Sequence, residues 1–337
     1  MSKDYCAIAL KYCRDVIAKR IPACKSVKLA CRRQLADLER FNAPDSLFEF
    51  SEAAASRPCK FVELLPHIKG PKAGRLIELE PWQIFIITTV FGWLHRGVTP
   101  TCRRFRRSYV EVPRGNGKSA LSSGIALYML CADNEGGAEV YSFATTRDQA
   151  KIVFGDAQQM TRRTPGLRNH FGVEVMERNI NVTKTASKFE PLSAEGSTLD
   201  GLNTHFACID ELHAHKTRGV YDVVETSIGK RSQSMIWVIT TAGSNRAGIC
   251  YEVRGFVLKV LNGSAVDESQ FGIIYGLDKD DDWTTEAALI KANPNWGVSV
   301  MPAVLLPLQA KAMTMPSAAN NFKTKHLNEW VNADTAW

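Results

Sequence analysis

The sequence predicts an α/β fold built around a mainly parallel β-sheet, and three observations carry this prediction. Residues 108–112, in which apolar and polar side chains alternate, lead into a glycine-containing loop and then into an apolar helical stretch at 120–131. Two short apolar runs, at 206–209 and 235–239, have the composition of buried strands. Helical patterns lie between these strands, and such alternation is typical of a parallel sheet that is flanked by helices.

Length and composition indicate a globular protein with a substantial core. The 337 residues are 45% hydrophobic and 23% charged, which is ordinary for such proteins and enough for one large or two modest domains. No apolar run approaches the roughly 18 residues of a membrane helix, and the N-terminal residues lack the apolar core of a signal peptide. Nine cysteines without a C-x-x-C pair indicate reduced thiols, as in a cytosolic protein.

The balance of charge is mildly basic. The chain has 42 Lys and Arg residues against 35 Asp and Glu residues, a formal net charge of +7. This excess permits a polyanionic partner without requiring one. The densest basic cluster, at 102–107, precedes the first predicted strand. We interpret it either as a solvated entry to that strand or as a contact with DNA or a protein partner.

The part of the chain before the glycine-containing loop is predicted to be mainly helical. Residues 1–65 are interpreted as an N-terminal helical segment, since basic and apolar side chains recur at helical spacing between residues 19 and 40. Pro81 suits the first turn of a helix and opens a very apolar one that extends to residue 94. Gln83 lies just inside this helix, where its amide could read the edge of an adenine base.

The segment from Pro113 to Ser119, Pro-Arg-Gly-Asn-Gly-Lys-Ser, predicts a phosphate-binding loop. It stands between a strand and a helix, as in the phosphate cradle of P-loop nucleotide hydrolases. In such loops the backbone N–H groups and the helix N-terminus hold the phosphates, a lysine reaches the β and γ oxygens, and a hydroxyl binds Mg²⁺. The lysine and the hydroxyl are those of Lys118 and Ser119. The other nucleotide-contacting positions are Pro113, Arg114, Gly115, Asn116 and Gly117.

A second motif is required to support a nucleotide site, because the loop departs from the usual P-loop pattern at Val112, where a glycine is expected. Asp210 and Glu211 follow the buried run at 206–209, and ligands bind at this end of the strands in an open parallel sheet. Asp210 is predicted to hold Mg²⁺, and Glu211 to orient or deprotonate the attacking water. Alone, the pair also fits a strand capped by solvated carboxylates. After a P-loop, it predicts a nucleoside triphosphatase.

Further patterns complete the predicted sheet. A strand at 139–145 leads into a helix whose N-cap is Thr145 or Thr146. Alternating patterns within 173–193 suggest short antiparallel additions to the sheet. Another helix is predicted at 221–228, before the buried strand at 235–239.

Residues from 245 onward read as helices and loops, with a terminal helix over 318–330. We predict a division into three parts. These are an N-terminal helical segment (1–65), a P-loop ATPase core (66–244) and a lid or linker subdomain (245–337).

These motifs together resemble the large terminase subunit of tailed bacteriophages, the motor that pumps DNA into a prohead. Nine motifs occur in the family's order, and they lie at 79–83, 113–119, 146–150, 193–196, 199–203, 210–215, 240–243, 292–297 and 322–330. The resemblance implies an α/β P-loop NTPase fold of the RecA/ASCE-like type. Its mainly parallel sheet would be flanked by helices, with the N-terminal helical segment before it and a small C-terminal lid after it.

The resemblance also assigns roles outside the two main motifs. Arg114 corresponds to a basic residue beside the γ-phosphate, and Arg147 to a residue proposed as an arginine finger in a neighbouring subunit. Thr240 and Thr241 correspond to a coupling motif that senses the γ-phosphate. The simpler interpretations are an exposed loop arginine, an arginine on a helix surface and strand-end caps. Other candidates for the finger are Arg162, Arg163, Arg178 and Arg218.

The implied cofactors are ATP and Mg²⁺. The implied partners are double-stranded DNA bound without sequence preference, a portal protein, a small terminase subunit and further copies of the chain in a ring. The implied location is the host-cell cytoplasm. An isolated ATPase domain could be monomeric. The family also has a ribonuclease-H-like nuclease domain, which would begin about where this chain ends, so we expect no nuclease activity from these residues.

His213 and His215 are interpreted as turn residues or neighbour contacts rather than zinc ligands. Alternative functions are a helicase-like translocase, which would need a second RecA-like domain, and a nucleotide-dependent scaffold without efficient hydrolysis.

Overall fold

An eight-stranded sheet organises the chain, of which the computed structural model describes residues 3–193 and 201–331. Two short strands, β1 (Phe48–Phe50) and β2 (Trp93–His95), form a separate two-stranded sheet. The strands of the eight-stranded sheet are β3 (Arg107–Glu111), β4 (Glu139–Ala144), β5 (Val173–Val175), β6 (Ile180–Val182), β7 (Ser187–Ser193), β8 (Thr204–Asp210), β9 (Met235–Thr240) and β10 (Gln270–Ile274). The α-helices are α1 (Tyr5–Ile17), α2 (Lys25–Arg40), α3 (Glu52–Val62), α4 (Pro81–Gly92), α5 (Lys118–Cys131), α6 (Arg147–Arg162), α7 (Pro165–Phe171), α8 (Gly219–Ser227), α9 (Ile249–Leu261), α10 (Glu286–Ala292), α11 (Pro302–Thr314) and α12 (Pro316–His326).

The sheet has the strand order β10-β3-β9-β8-β4-β7-β6-β5. The pairings from β10 to β7 are parallel, and the pairings of β7 with β6 and of β6 with β5 are antiparallel. Almost every residue of β3, β9, β8 and β4 is buried, as expected for parallel strands with both faces covered. The predicted α/β fold with a mainly parallel, helix-flanked sheet is confirmed.

The N-terminal helices pack around α4. Both α1 and α3 contact α4, while α2 contacts β10. Helix α4 begins at Pro81 as predicted, but it ends at Gly92 because the next residues form β2 and pair with β1. A side-chain carbon at position 92 would lie 2.5 Å from the ring of Phe50, so this junction requires glycine.

The segment 173–193 differs in part from its predicted arrangement. Strands β5 and β6 are antiparallel additions, as predicted. Strand β7 is not, because it pairs in parallel with β4 from Glu139↔Lys188 to Ala144↔Ser193. Alternating side chains do not reveal the direction of a partner strand, which depends on the distant residues that the strand meets.

The sheet contains a strand that the sequence pattern does not predict. Gln270–Ile274 forms β10, which is parallel to β3, in a region that reads as helices and loops. A side-chain carbon on Gly272 would lie 2.3 Å from Val257 of α9, so glycine is needed for the close approach of helix and strand although it weakens the strand signal. The sheet therefore extends past residue 244, and the division of the chain into domains stays a prediction.

The residues after β10 have a small core of their own. Helices α10, α11 and α12 carry most of it, and we call residues 276–331 the lid. Its buried apolar residues are Leu289, Ala292, Val300, Leu305, Ala312, Phe322 and Leu327.

The basic cluster at 102–107 is largely used inside the protein. Arg103 is buried and pairs with Asp133 at 2.5 Å, and the buried Arg104 pairs with Glu268 at 2.5 Å. The interpretation of the cluster as a solvated entry or as a DNA contact is therefore wrong for these two arginines. Their partners lie far away in the sequence, where no local pattern identifies them.

Eight of the nine cysteines are buried, and Cys131 is partly exposed. None of the nine, all of which lie in described residues, forms a disulfide. Burial raises the pKa of the Cys131 and Cys250 thiols to about 12, so both are protonated at neutral pH. Across residues 3–193 and 201–331, no helix combines the length and the apolar character that crossing a bilayer demands.

The terminal helix α12 ends at His326, four residues before the predicted end. Asn328 has a left-handed φ of 60° and turns the chain back toward the sheet. Its Nδ2 and the Nε1 of Trp330 donate to Oε1 of Glu111 at 3.2 and 3.1 Å. Its Oδ1 accepts from the backbone N–H of Ala242 at 2.6 Å. These tertiary hydrogen bonds end a helix that the sequence pattern would continue.

Replacing Glu111 with alanine is expected to lower the free energy of unfolding by about 3–5 kcal/mol. The carboxylate is fully buried and 3.4 Å from Arg254 Nε, and it accepts hydrogen bonds from Tyr109, Asn328 and Trp330. Its removal leaves these buried donors without their acceptor. Urea unfolding measures the change. The exposed Glu174 on β5 supplies a control, and Glu174→Ala should change stability by less than about 0.5 kcal/mol. A similarly small change for Glu111→Ala would contradict the prediction.

Candidate active site

The carboxyl ends of three neighbouring strands meet at one edge of the sheet. The P-loop, residues 112–119, follows β3, the pair Asp210 and Glu211 ends β8, and Thr240 and Thr241 end β9. Strand β9 lies between β3 and β8, so the threonines lie between the loop and the acidic pair. This is the edge at which open parallel sheets bind their ligands.

The P-loop backbone has the conformation that its glycines allow. Gly115 and Gly117 have φ values of 87° and 76°, in the left-handed region that glycine adopts without strain. Helix α5 begins directly after them at Lys118, and no side chain caps its first turn. The first N–H groups of such a helix are suited to an anion.

Lys118 points back along the loop toward the strand. Its Nζ donates to the carbonyls of Val112 and Pro113 at 3.1 and 3.3 Å and lies 3.9 Å from Glu211 Oε1. Burial lowers its pKa, while Glu211 and Asp210 oppose this change. Val112 thus contributes its backbone carbonyl, so the absence of glycine at this position does not remove the contact.

Three asparagines, Asn116 of the P-loop with Asn293 and Asn295 of the lid, join the two segments. We call them the asparagine cluster. Asn116 Nδ2 donates to Asn293 Oδ1 at 2.9 Å, and its Oδ1 accepts from the Asn295 backbone N–H at 3.0 Å. Asn295 Oδ1 in turn accepts from Trp82 Nε1 at 2.6 Å. The lid and α4 therefore both contribute to the position of the phosphate-binding loop.

Gln83 lies next to the P-loop and also caps α4. Its Oε1 accepts from the backbone N–H of Glu80 at 3.0 Å, which completes a capping box. A side-chain carbon on Gly117 would lie 3.7 Å from Gln83 Nε2. The residue is thus close to the place where a nucleotide would bind, and its contact with adenine stays a prediction.

Asp210 and Ser119 supply the oxygen ligands that Mg²⁺ prefers. Asp210 is 6% exposed, and its Oδ1 has no hydrogen-bond partner among the described residues. Such an oxygen is costly to bury unless a ligand satisfies it. Ser119 lies partly exposed in the first turn of α5. In the described part of the chain no three His, Cys, Asp or Glu side chains cluster as metal ligands. These residues fit Mg²⁺, which takes few protein ligands and completes its shell with phosphate and water.

The stability of the chain without nucleotide or Mg²⁺ is expected to depend on Asp210 and pH. Burial and the neighbouring Glu211 raise the pKa of Asp210 to about 7, against about 3.9 in an unfolded chain. Between these values the folded state holds a proton that the unfolded state has lost, so raising the pH favours unfolding. The free energy of unfolding of Asp210→Asn, relative to that of wild type, should therefore rise by about 3 kcal/mol between about pH 5 and pH 8. Urea unfolding of both proteins across this range measures the difference. A difference that stays constant with pH would show that Asp210 is ionised throughout.

Glu211 is held in a specific orientation. Its backbone is left-handed, with φ 51°, and its N–H donates to the Ile239 carbonyl at 2.9 Å. Its Oε2 lies 2.9 Å from His213 Nδ1 and accepts from Thr241 Oγ1 at 3.3 Å. Burial opposes ionisation, but the His213 hydrogen bond and the charge of Lys118 outweigh it and lower the pKa of Glu211 to about 2. The carboxylate is therefore ionised at neutral pH and can accept a hydrogen bond from a water molecule.

Thr240 and Thr241 are both buried and bond to the acidic side of the site. Thr240 Oγ1 accepts from the His213 backbone N–H at 3.1 Å and donates to the Thr241 carbonyl at 3.0 Å. Thr241 Oγ1 donates to Glu211. The hydroxyls thus connect β9 to Glu211, while γ-phosphate sensing by them stays a prediction.

Sequence reasoning missed the contacts of His213, Lys325 and the asparagine cluster. His213 lies in the turn after Glu211 and bonds to that carboxylate. Burial lowers the pKa of His215 to about 4, so that ring is neutral at pH 7. For Lys325, Asn293 and Asn295, the sequence signals were the motifs at 322–330 and 292–297, to which no role was attached.

The predicted arginines have different surroundings. Arg114 is exposed, and its backbone N–H donates to the Lys325 carbonyl at 2.9 Å. Arg147 is the first residue of α6, after Thr146, whose side chain caps the helix as predicted. The side chain of Arg147 lies outside the described part of the structure. So do residues 194–200, which include most of the motif at 193–196 and part of the motif at 199–203.

Among the other candidates for the finger, Arg218 already pairs with Glu252 and Asp222 of its own chain. The side chains of the remaining three are exposed, and these residues are Arg162, Arg163 and Arg178.

Comparison with known proteins points to one family. The sequence model described as "Terminase large subunit, ATPase domain" matches residues 81–259, more than half of the chain. Protein YmfN of Escherichia coli K12 is 48% identical over 138 residues, which are 41% of this chain and 30% of that protein. The large terminase subunit of Enterobacteria phage HK97 is 26% identical over 272 residues, 78% of this chain and 50% of that protein. The chain thus spans half or less of the length of these relatives.

Two solved structures share the fold. The crystal structure of the HK97 bacteriophage large terminase superimposes with a TM-score of 0.70 and 24% identity, covering 82% of this chain and 55% of that one. The large terminase ATPase domain of Thermus phage P74-26 gives a TM-score of 0.53 and 18% identity, covering 81% of this chain and 98% of that one. At these identities the likeness concerns the fold alone.

Proposed function

The chain belongs to the terminase large-subunit family through its ATPase domain, and on that premise we propose that it couples Mg²⁺-dependent ATP hydrolysis to the translocation of double-stranded DNA into a prohead. One observation carries the proposal. Lys118 Nζ, at the start of a helix whose N-cap is Gly117, lies 3.9 Å from Glu211 Oε1, and Asp210 has a buried oxygen with no hydrogen-bond partner among the described residues. A lysine, a metal-binding carboxylate and an ionised glutamate are the groups that phosphoryl transfer to water requires.

The P-loop binds the phosphates of ATP through its backbone N–H groups. Lys118 exchanges the carbonyls of Val112 and Pro113 for β- and γ-phosphate oxygens, because the anionic oxygens are the stronger partners. Ser119 and Asp210 hold Mg²⁺. When bound, this ion would supply positive charge against the negative charge that develops on the phosphates.

Glu211 orients the attacking water and accepts its proton. The water oxygen forms a bond to the γ-phosphorus, the bond from that phosphorus to the β-phosphate oxygen breaks, and ADP and phosphate are released. The ionised state of Glu211 and its hydrogen bonds to His213 and Thr241 support this role.

The remaining predicted residues act around this centre. Gln83 contacts adenine, Arg114 lies beside the γ-phosphate, and Thr240 and Thr241 pass on the loss of the γ-phosphate. Arg147 completes the site of a neighbouring subunit in a ring. Its location at the start of a helix at the same end of the sheet supports this assignment.

The work of the whole protein involves further partners. It takes place in the host-cell cytoplasm, on double-stranded DNA that is gripped through its phosphates, together with a portal protein and a small terminase subunit. A grip of this kind weakens as the salt concentration rises. The net charge of +7 is compatible with a polyanionic substrate.

ATP turnover per subunit over a wide range of protein concentration tests the proposal. We expect turnover to require Mg²⁺, to rise with concentration as subunits complete one another's sites, and to be lost in Lys118→Ala. Turnover that persists both after removal of Mg²⁺ by EDTA and in Lys118→Ala would refute ATPase activity at this site and leave a nucleotide-binding scaffold. Turnover that needs Mg²⁺ and Lys118 but does not change with concentration would refute only the completion of the site by a neighbouring subunit.

A further inference from the structure

His213 lies between the candidate catalytic carboxylate and the lid. Its Nδ1 is 2.9 Å from Glu211 Oε2, and its Nε2 is 3.2 Å from Nζ of Lys325 in α12. The histidine side chain is 11% exposed, so water competes little for either contact. A hydrogen-bond chain Lys325–His213–Glu211 therefore connects a lid helix to the end of β8.

The partners of the ring determine where its proton lies. The ammonium group of Lys325 can only donate, so His213 Nε2 accepts. The single proton of the neutral ring is then on Nδ1, from which it is donated to Glu211, a tautomer that we infer from these partners. The backbone N–H of His213 donates to Thr240 Oγ1 at 3.1 Å, which holds the residue against β9.

Lys325 makes a second contact through its main chain. Its carbonyl accepts from the backbone N–H of Arg114 in the P-loop at 2.9 Å. The next carbonyl, that of His326, accepts from Asn293 Nδ2 at 2.9 Å. A single lid residue thus contacts the phosphate-binding loop with its backbone and the Glu211 side of the site with its side chain.

We propose that Lys325 is a positioning residue that acts through His213 to orient Glu211, so that the lid controls whether this carboxylate can receive the proton of the attacking water. The proposal rests on the role given to Glu211 in the proposed function. Without Lys325, the ring loses its partner at Nε2 and is free to rotate about its side-chain bonds. Its Nδ1–H then leaves Glu211, and the carboxylate is released. Because Lys325 also bonds to Arg114, a change in the P-loop on phosphate binding reaches Glu211 by this route.

The tautomer of His213 is tested by NMR on the nucleotide-free chain. The ring ¹⁵N shifts of the seven histidines are recorded, and the His213 signal is assigned by its absence in His213→Asn. We expect the Nδ1–H tautomer in wild type and, in Lys325→Met, a broadened or lost Nδ1–H proton signal, because the ring no longer stays hydrogen-bonded to Glu211. Lys311→Met, in the same subdomain but on the exposed side of α11, should leave the signal unchanged.

Kinetics test the effect on Glu211. Lys325→Met is expected to lower kcat for ATP about tenfold, while the Kd for ADP changes less than about twofold, because the lysine contacts Glu211 and not the nucleotide. His213→Asn keeps a donor at the place of Nδ1 but offers nothing at the place of Nε2. Adding Lys325→Met to His213→Asn should therefore change kcat less than about twofold further. A purely structural role for Lys325 would give additive losses and weaker ADP binding.

The outcomes separate this proposal from the proposed function. An Nε2–H tautomer in wild type, or a Lys325→Met protein with an unchanged Nδ1–H proton signal and unchanged kcat, would overturn the positioning role even if the chain hydrolyses ATP. If wild type shows no Mg²⁺-dependent turnover at any concentration, the proposed function fails, and the positioning role of Lys325 fails with it whatever tautomer NMR shows.

Discussion

Replacing Glu211 with glutamine is expected to lower the rate of ATP hydrolysis by about 10²–10⁴-fold. The amide has nearly the same shape and keeps an oxygen that can accept from His213 Nδ1, but it cannot take up a proton from water. Nucleotide affinity should be retained, because Lys118 and Ser119 are unchanged. The loss should therefore appear in kcat and not in the Kd for ADP.

Single-turnover and steady-state hydrolysis measure this effect, and calorimetry with ADP measures binding. Glu286→Gln is a matched control, since Glu286 is exposed at the start of α10 in the lid. It should leave both quantities unchanged. A Glu211→Gln protein that retains more than about a tenth of the wild-type rate would assign proton transfer to another group.

Replacing Arg147 with alanine is expected to lower turnover by about 10³–10⁵-fold, the range that arginine fingers supply. The guanidinium neutralises charge that develops on the γ-phosphate in the transition state, so ATP binding in the absence of hydrolysis should change little. If the arginine acts on a neighbouring subunit, the deficit should lie in the neighbour's site.

Mixing two inactive variants distinguishes a finger that acts between subunits from one within a chain. Lys118→Ala subunits cannot use ATP but still carry Arg147, so adding them to Arg147→Ala subunits should restore part of the turnover. Arg168→Ala, on the exposed surface of α7, should remain active by itself. Mixing without any recovery would contradict a finger in trans, and full activity of Arg147→Ala would direct attention to Arg162 or Arg178.

The sheet could be predicted where burial is strong and local. The apolar runs of β8 and β9 are buried along their full lengths, and such runs between helical patterns leave few alternatives. Strand β10 escaped prediction because it contains Gly272, which the packing of α9 requires. The direction of β7 escaped because an alternating pattern fits either a parallel or an antiparallel partner.

The candidate site, like the sheet, could be predicted only where its residues leave a local pattern in the sequence. The P-loop and the pair Asp210 and Glu211 are recognisable because their chemistry needs particular residue types at adjacent positions. The roles of Lys325 and Asn295 have no such local signal. Lys325 meets His213 across 112 positions of sequence, and Asn295 meets Asn116 across 179.

Residue order by itself determined that this chain has a phosphate-binding loop and an acidic strand end on a mainly parallel α/β sheet, because each depends on neighbouring residues and on hydrophobic periodicity. Tertiary structure decided which atoms of these motifs face one another. Among the described residues, it turned Lys118 toward the carbonyls of Val112 and Pro113, left Asp210 Oδ1 without a hydrogen-bond partner and brought the lid against Glu211 through His213. Hydrogen bonds are short-ranged and directional, so contacts between distant segments exist only once the packed core has brought those segments within about 3 Å of each other.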